Sequence, residues 1–321
     1  ALQKYIRDEL RLDVEVINYY PSHYEEYWKL LPSVSSFKSI VLRVICLLMP
    51  WRILSTKKRY SQYMDFRMRK IKCSQPFYSI DEIESIPCPY DIVICGSDQI
   101  WNVSRHKKID SVWFLGFKKS WANVKKIAYA PSVADSIPEE KKQEVANFLS
   151  TFAAVSVRES EDITQLKPLY AGKIENVCDP VFLLSKHYWS EIAKLPNFKL
   201  PYILCYFLNP DIEAISIVTK LRNITKLKVV QIDINYYNKI WPVHNVSNAS
   251  IEEFLGYIKN ATYVVTNSFH CTAFSIIYNR NFFVIRKESA NRRITSMLNT
   301  IGLSNRLVDS ATVSSMLNNN L

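Results

Sequence analysis

The sequence predicts an α/β protein built from two Rossmann-like domains facing a cleft. Three observations carry this prediction. Strand-like and helix-like segments alternate along both halves of the chain, the pattern that builds parallel sheets covered by helices. Two apolar runs, one in each half, stop abruptly at small polar clusters: Asp91-Ile-Val-Ile-Cys-Gly-Ser-Asp-Gln-Ile-Trp-Asn102 and Tyr263-Val-Val-Thr-Asn-Ser-Phe-His-Cys-Thr-Ala-Phe274. Each reads as a fully covered strand whose carboxyl end is offered to a ligand, as the strands of open parallel sheets are. Finally, 321 residues suffice for two domains, each with its own core.

The elements follow in order. Residues 1–10 read as a helix leading into a strand at 14–18. A doubly wound domain opens with a strand, so a further strand is expected ahead of this helix. Further strands are predicted at 92–95, 126–130, 153–157 and 176–178. Ser136, three residues before Glu139, predicts a capping box that opens a helix, with a proline tolerated in its first turn. Residues 159–166 predict another helix, ended near Pro168. Asp179-Pro180 closes this half, which gives an N-terminal domain over 1–183 and a C-terminal domain over 184–321. Residues 184–200 serve as the crossover. The second half repeats the alternation, with strands at 202–208, 228–234, 263–266 and 282–286. Its helices fall at 211–222, 250–259, 270–278 and 291–300, the second opened by a capping box of Ser250 with Glu253.

Composition narrows the class. With 48% hydrophobic and 22% charged residues the chain is globular, and no stretch reads as a secretory signal or a membrane span. Seven cysteines, an odd number with no C-x-x-C pair, predict neither a disulfide framework nor a zinc site and point to a reducing cytosol. His23, His106, His187, His244 and His270 lack metal-ligand spacing. Glycine-rich phosphate loops are absent, so any phosphate is held by side chains or by a helix N-terminus. The net charge of +11 is concentrated in residues 37–72, which carry ten basic side chains against Asp65 alone. The apolar run within it, residues 40–54, is broken by Arg43, Pro50 and Arg52. Two readings stand: a segment lying on an anionic membrane surface, or a packed helix with a solvated basic face. Nucleic acid is not expected as a partner, because no nucleic-acid motif accompanies the charge.

Several residue types at strand ends are suited to chemistry. Asp98, Gln99 and Asn102 follow a strand and Gly96, and suit the hydroxyls of a sugar. Equally, Asp98 caps the following turn while Trp101 packs into the core. His270 stands at a helix N-terminus, whose partial positive charge favours neutral imidazole, while an anionic substrate draws the proton back and makes it a usable acid. Arg158 ends a strand and suits bidentate capture of a carboxylate or phosphate, or else pairs with Glu159 or Glu161. Arg286, Arg292 and Arg293 add positive charge beyond the last strand. Cys271, also near the helix start, is a candidate for a thiol of lowered pKa.

Taken together, several stretches resemble the polysaccharide pyruvyl transferases. These are Tyr90-Asp-Ile-Val-Ile-Cys-Gly-Ser-Asp-Gln-Ile-Trp-Asn102, Ile127-Ala-Tyr-Ala-Pro-Ser132, Val155-Ser-Val-Arg-Glu159, Cys178-Asp-Pro-Val-Phe-Leu183 and Thr266-Asn-Ser-Phe-His270. Asn291-Arg-Arg-Ile-Thr-Ser-Met-Leu298 with Ile301-Gly-Leu303 extends the likeness. The resemblance implies a fold similar to GT-B glycosyltransferases. It also implies transfer of pyruvate from phosphoenolpyruvate to a sugar hydroxyl pair of a surface-polysaccharide precursor, with phosphate released and no cofactor or metal required. It implies His270 as the catalytic acid, with Arg158, Ser268 and Arg293 binding the donor; Asp98, Gln99 and Asn102 are then expected on the glycan acceptor, across the cleft. A lipid-linked acceptor at the inner face of a bacterial membrane would suit the basic segment. Two departures stand out: Cys271 replaces a family glycine, and the family's first strand and loop ahead of residue 1 are absent from the chain. The alternatives are a GT-B nucleotide-sugar glycosyltransferase and a non-catalytic glycan-binding protein.

Overall fold

The computed structural model describes residues 1–21, 50–105, 108–208, 212–232, 244–286, 292–309 and 312, with backbone alone for 50–52. The chain is α/β, and every strand pairing is parallel among the described residues. It divides into two compact units, Ala1–Pro21 with Cys73–Leu183, and Ser22–Lys72 with Leu184–Leu321.

In the first unit β1 (Val16–Tyr19) pairs with β2 (Cys73–Phe77), and a four-stranded sheet runs β3 (Ile92–Cys95), β4 (Lys125–Ala128), β5 (Ala154–Val157), β6 (Ile174–Asn176) in chain order. Helices Glu139–Leu149 and Ser160–Leu166 follow β4 and β5. The core centres on Trp101, Phe114, Trp121, Leu149 and Val155. Trp101 stacks on Phe114 with centroids 5.2 Å apart, and its indole N–H donates to the Trp113 carbonyl at 3.1 Å. Strand β3 buries Val93 and Cys95 but leaves Ile92 and Ile94 exposed. One face of it is covered, then, where the sequence predicted two.

Other differences are local and have local causes. Strand β4 stops at Ala128 because Ala130 turns to a φ of 58°. The predicted Ser136–Glu139 capping box does not form; Pro138 precedes the helix without a side-chain cap. Proline holds its predecessor extended, and the buried Ile137 is pinned there by donating its N–H to Gln165 Oε1 at 3.1 Å. Strand β6 lies two residues earlier than predicted, pairing Ile174–Asn176 with Val155–Val157. Strand β2 was not predicted; its Pro76 is tolerated in a two-stranded sheet.

The second unit holds a six-stranded sheet in the order β12 (Leu307–Val308), β11 (Asn281–Ile285), β10 (Tyr263–Thr266), β7 (Tyr202–Tyr206), β8 (Lys228–Ile232), β9 (His244–Val246). Read from β9 this is the 3-2-1-4-5-6 order of a doubly wound sheet. Chain progression reverses between β7 and β10, which pair directly through Thr266 and Tyr206. Both are central and almost wholly buried. Ile203, Cys205, Ile217, Leu221, Val229 and Phe283 fill one core. The Ser250–Glu253 capping box forms as predicted at the start of helix Ile251–Asn260.

That helix passes very close to the chain leaving helix Lys186–Ile192. A Cβ on Gly256 would collide with the Lys194 carbonyl oxygen. The obstacle is backbone, anchored nearby by the Lys194 N–H donating to the Glu252 carbonyl at 2.9 Å, so it cannot swing aside. Gly256→Ala is expected to cost about 1–3 kcal/mol or more in chemical denaturation, against a near-neutral change at an exposed helix position.

Helix Pro50–Lys70 belongs to this second unit, a grouping that a partition of the chain at residue 183 does not contain. Polar contacts tie it there. Ser55 donates to Asn248, and Arg69 Nη2 lies 2.7 Å from Glu252 Oε1. Among the described residues no helix is long and apolar enough to cross a membrane. Residues 40–49 of the predicted apolar run, together with His23 and His106, lie outside the described residues.

Candidate functional site

Ligands of doubly wound sheets bind beyond the carboxyl ends of the strands where chain progression reverses. In the second unit that place is the end of β7 and β10, and the sequence Thr266-Asn-Ser-Phe-His270 occupies it. Each polar residue has a defined task. Thr266 Oγ1 donates to the Tyr206 carbonyl at 2.6 Å and accepts from the Ser268 N–H at 3.0 Å. Asn267 Oδ1 accepts from the Leu208 N–H at 2.9 Å, joining the two strand ends. Ser268 caps helix Phe269–Ile277, its Oγ accepting from the Cys271 N–H at 3.5 Å.

The helix therefore starts at the switch point with its N-terminal dipole directed there. His270 sits in its first turn, half-buried, its ring edge-on to Phe269 with centroids 5.5 Å apart. The Arg293 guanidinium approaches the same phenyl ring at 6.0 Å from its centroid. Arg293, distant in the chain, is thus brought near Phe269, which stands between Ser268 and His270. Arg286 is exposed at the end of β11 and its N–H donates to the Val308 carbonyl.

Cys271 turns the other way. It is fully buried, and burial pushes its thiol from an ordinary 9.0 up to about 12, against the smaller pull of a hydrogen bond with Thr266. This removes the reading of a lowered-pKa thiol, and its side chain occupies core instead of the open strand end. The sign of its pH effect follows. The stability contribution is present in full below the unfolded pKa near 9 and is lost as pH climbs from about 9 to 12, where only the unfolded chain releases the proton. Iodoacetamide at pH 8 is expected to label the exposed Cys178 and spare Cys271 until the protein is denatured.

The first unit carries a second polar cluster, at the carboxyl ends of β3 and β5. Arg158, nearly inaccessible at 3% exposure, places Nε 2.9 Å from Glu159 Oε1 and Nη1 2.7 Å from Asp179 Oδ2. Ser97 donates to the same Asp179 oxygen at 2.9 Å, and Asp98 Oδ1 lies 3.7 Å from Arg158 Nη2. Burial lowers the Arg158 pKa, but Glu159 and Asp179 outweigh it and leave the net shift upward. The guanidinium is therefore a fixed charge held by its own carboxylates, with the Glu159 pairing that the sequence offered as one of its alternatives. Glu159 Oε2 and Ser132 Oγ are buried without a hydrogen-bond partner among the described residues.

Asp98 is the exposed member of this group. Its backbone has φ 87° and ψ −178°, a region that is essentially glycine territory and costs on the order of 1–3 kcal/mol. Two hydrogen bonds hold it there: the Asp98 carbonyl accepts from the Ser132 N–H at 2.8 Å, and Oδ1 accepts from the Gln99 N–H at 2.9 Å. Asp98→Gly is expected to raise stability by up to about 1 kcal/mol after the glycine entropy cost, measured by denaturation.

The remaining predicted residues separate. Gln99 is half-buried beside Asp98. Asn102 is buried, its amide donating to Asp135 Oδ2 at 3.0 Å and accepting from Ser104 at 2.7 Å. It braces the loop and does not join the cluster at Arg158. Asp179, Ser97 and Asn267 went unrecognised as parts of these clusters. Their signal was position, since each stands at a strand end or within the motifs quoted above. No group of three metal-ligating side chains occurs among the described residues.

The family model described as polysaccharide pyruvyl transferase matches residues 1–288 of the chain. No curated protein matches it.

Proposed function

As the chain belongs to the polysaccharide pyruvyl transferase family, we propose that it moves pyruvate from phosphoenolpyruvate to a hydroxyl pair of a surface-polysaccharide precursor carried on a lipid. The product is a pyruvate ketal, and phosphate leaves. The observation that supports this most is His270 in the first turn of a helix that begins at the sheet's switch point. That position offers an anion a helix N-terminus and offers a proton to what the anion carries.

The chemistry then runs as follows. His270 protonates the methylene carbon of phosphoenolpyruvate's enol phosphate, leaving its neighbour electrophilic. One sugar hydroxyl adds there and loses its proton; a second displaces phosphate to close the ring. Ser268 and Arg293 bind the donor's anionic groups and disperse the charge that develops. Arg158 serves the donor in a narrower way than an open cation would, because Glu159 and Asp179 already hold it. Asp98 and Gln99 receive the acceptor's hydroxyls. Asn102, spent on Asp135 and Ser104, supports their loop.

Thermal stability against phosphoenolpyruvate, inorganic phosphate and several nucleotide sugars tests the reading without the acceptor. Selective stabilisation by phosphoenolpyruvate, about 2.7 kcal/mol at a hundredfold excess over Kd, is the expected result. Arg293→Ala should weaken it. Stabilisation by a nucleotide sugar alone overturns the proposal in favour of glycosyl transfer.

A further inference from the structure

The cationic helix Pro50–Lys70 takes no part in that chemistry, and its surface has a character of its own. Seven of its residues are Lys or Arg and one, Asp65, is acidic. Residues 55, 59, 62 and 66 recur at helical spacing and form the inward stripe, where Ser55 is buried and Arg59, Gln62 and Phe66 are half-buried. Ser55 with Asn248, and Arg69 with Glu252, anchor the helix to its unit.

Residues 54, 57, 58, 61, 65 and 68 form a second, outward stripe, and all are exposed. At its two ends stand large apolar side chains, Leu54 at 66% and Met68 at 80% exposure. Lys57 and Lys58 lie between them, and Asp65 is neutralised by Arg69 at 2.8 Å. Lys70 continues the positive charge.

Charge alone would fit any polyanion. Exposed Leu and Met side chains at either end of a lysine stripe gain nothing from phosphates in water, but they gain from an acyl layer beneath phosphate headgroups. We infer that this outward stripe docks on an anionic lipid bilayer, with the helix parallel to the surface, Lys57 and Lys58 among the headgroups, and Leu54 and Met68 inserted at the acyl boundary. The inference stands apart from the proposed reaction, since nothing in it depends on phosphoenolpyruvate or on a glycan.

Co-sedimentation of the full chain with vesicles tests it. Binding is expected to vesicles containing phosphatidylglycerol, not to pure phosphatidylcholine, and to fall as salt screens the lysines. Lys57→Glu with Lys58→Glu should weaken binding about tenfold or more. Leu54→Ser with Met68→Ser should weaken it also, at unchanged charge. All four positions are exposed, and an unchanged melting temperature for each variant certifies the fold. Failure to bind anionic vesicles overturns the inference. So does binding that neither pair of substitutions weakens. Tighter binding to duplex DNA than to vesicles, insensitive to the Leu54 and Met68 changes, would reassign the stripe to nucleic acid.

Discussion

Replacing His270 by alanine is expected to slow phosphate release from phosphoenolpyruvate by roughly 10²–10⁴-fold, the usual contribution of a positioned general acid. A pool of extracted lipid-linked glycans serves as acceptor. The fold should be little affected. His270 is half-buried and its main packing partner is the edge of Phe269, whereas the strand ends are held by Thr266 and Asn267. Stabilisation by phosphoenolpyruvate should persist in the variant, because Ser268, Arg293 and the helix N-terminus remain. Loss of turnover with binding retained is the signature of an acid. Equal turnover in the variant and the parent would transfer the proton to another group and sink this assignment. A glycan-binding protein without catalysis would show no phosphate release in either form.

Arg158→Ala is expected to act mainly on stability. It leaves Asp179 and Glu159, both buried, facing each other's charge without their shared cation. Breaking a buried ionic group on one side typically costs about 3–5 kcal/mol, to be read as a lowered denaturation midpoint for the first unit. A second variant separates charge from structure. Arg158→Ala combined with Asp179→Asn and Glu159→Gln removes the orphaned carboxylates, and much of the lost stability should return. If Arg158→Ala unfolds no more easily than a surface substitution, the cluster is not the fixed charge group described above. The donor role of Arg158 is then best tested in Arg158→Lys, which keeps the charge but not the two-pronged geometry.

Much of this was legible in the residues because its causes are local. Helix Ile251–Asn260 announces itself by a serine and a glutamate three residues apart, whose reciprocal hydrogen bonds need no other part of the chain. The strands at β3 and β10 were placed to the residue, since an apolar run bounded by polar residues leaves little choice of register. Likewise Ser268-Phe-His270 at a strand end was visible as a chemical group before any packing was known. Where neighbours intervene, local reading went astray. Ser136 has the spacing of a cap, yet the pull of Gln165 on Ile137 keeps it out. Asn102 has the chemistry of a sugar ligand, yet it is buried and one amide N–H is given to Asp135, distant in sequence.

What the sequence by itself determined is the class of fold, the alternation of its elements, the family and the residue types at two strand ends. Period, capping and motif are written in neighbouring residues, and those cannot be rearranged by folding. Only the tertiary structure decided which strands lie side by side, and so where chain progression reverses, between β7 and β10. It alone decided that Arg158 is engaged by Asp179 and Glu159, that Cys271 faces the core, and that Asp98 holds a strained backbone. These depend on groups brought together from distant parts of the chain, where burial and competing partners override what any side chain would do on its own.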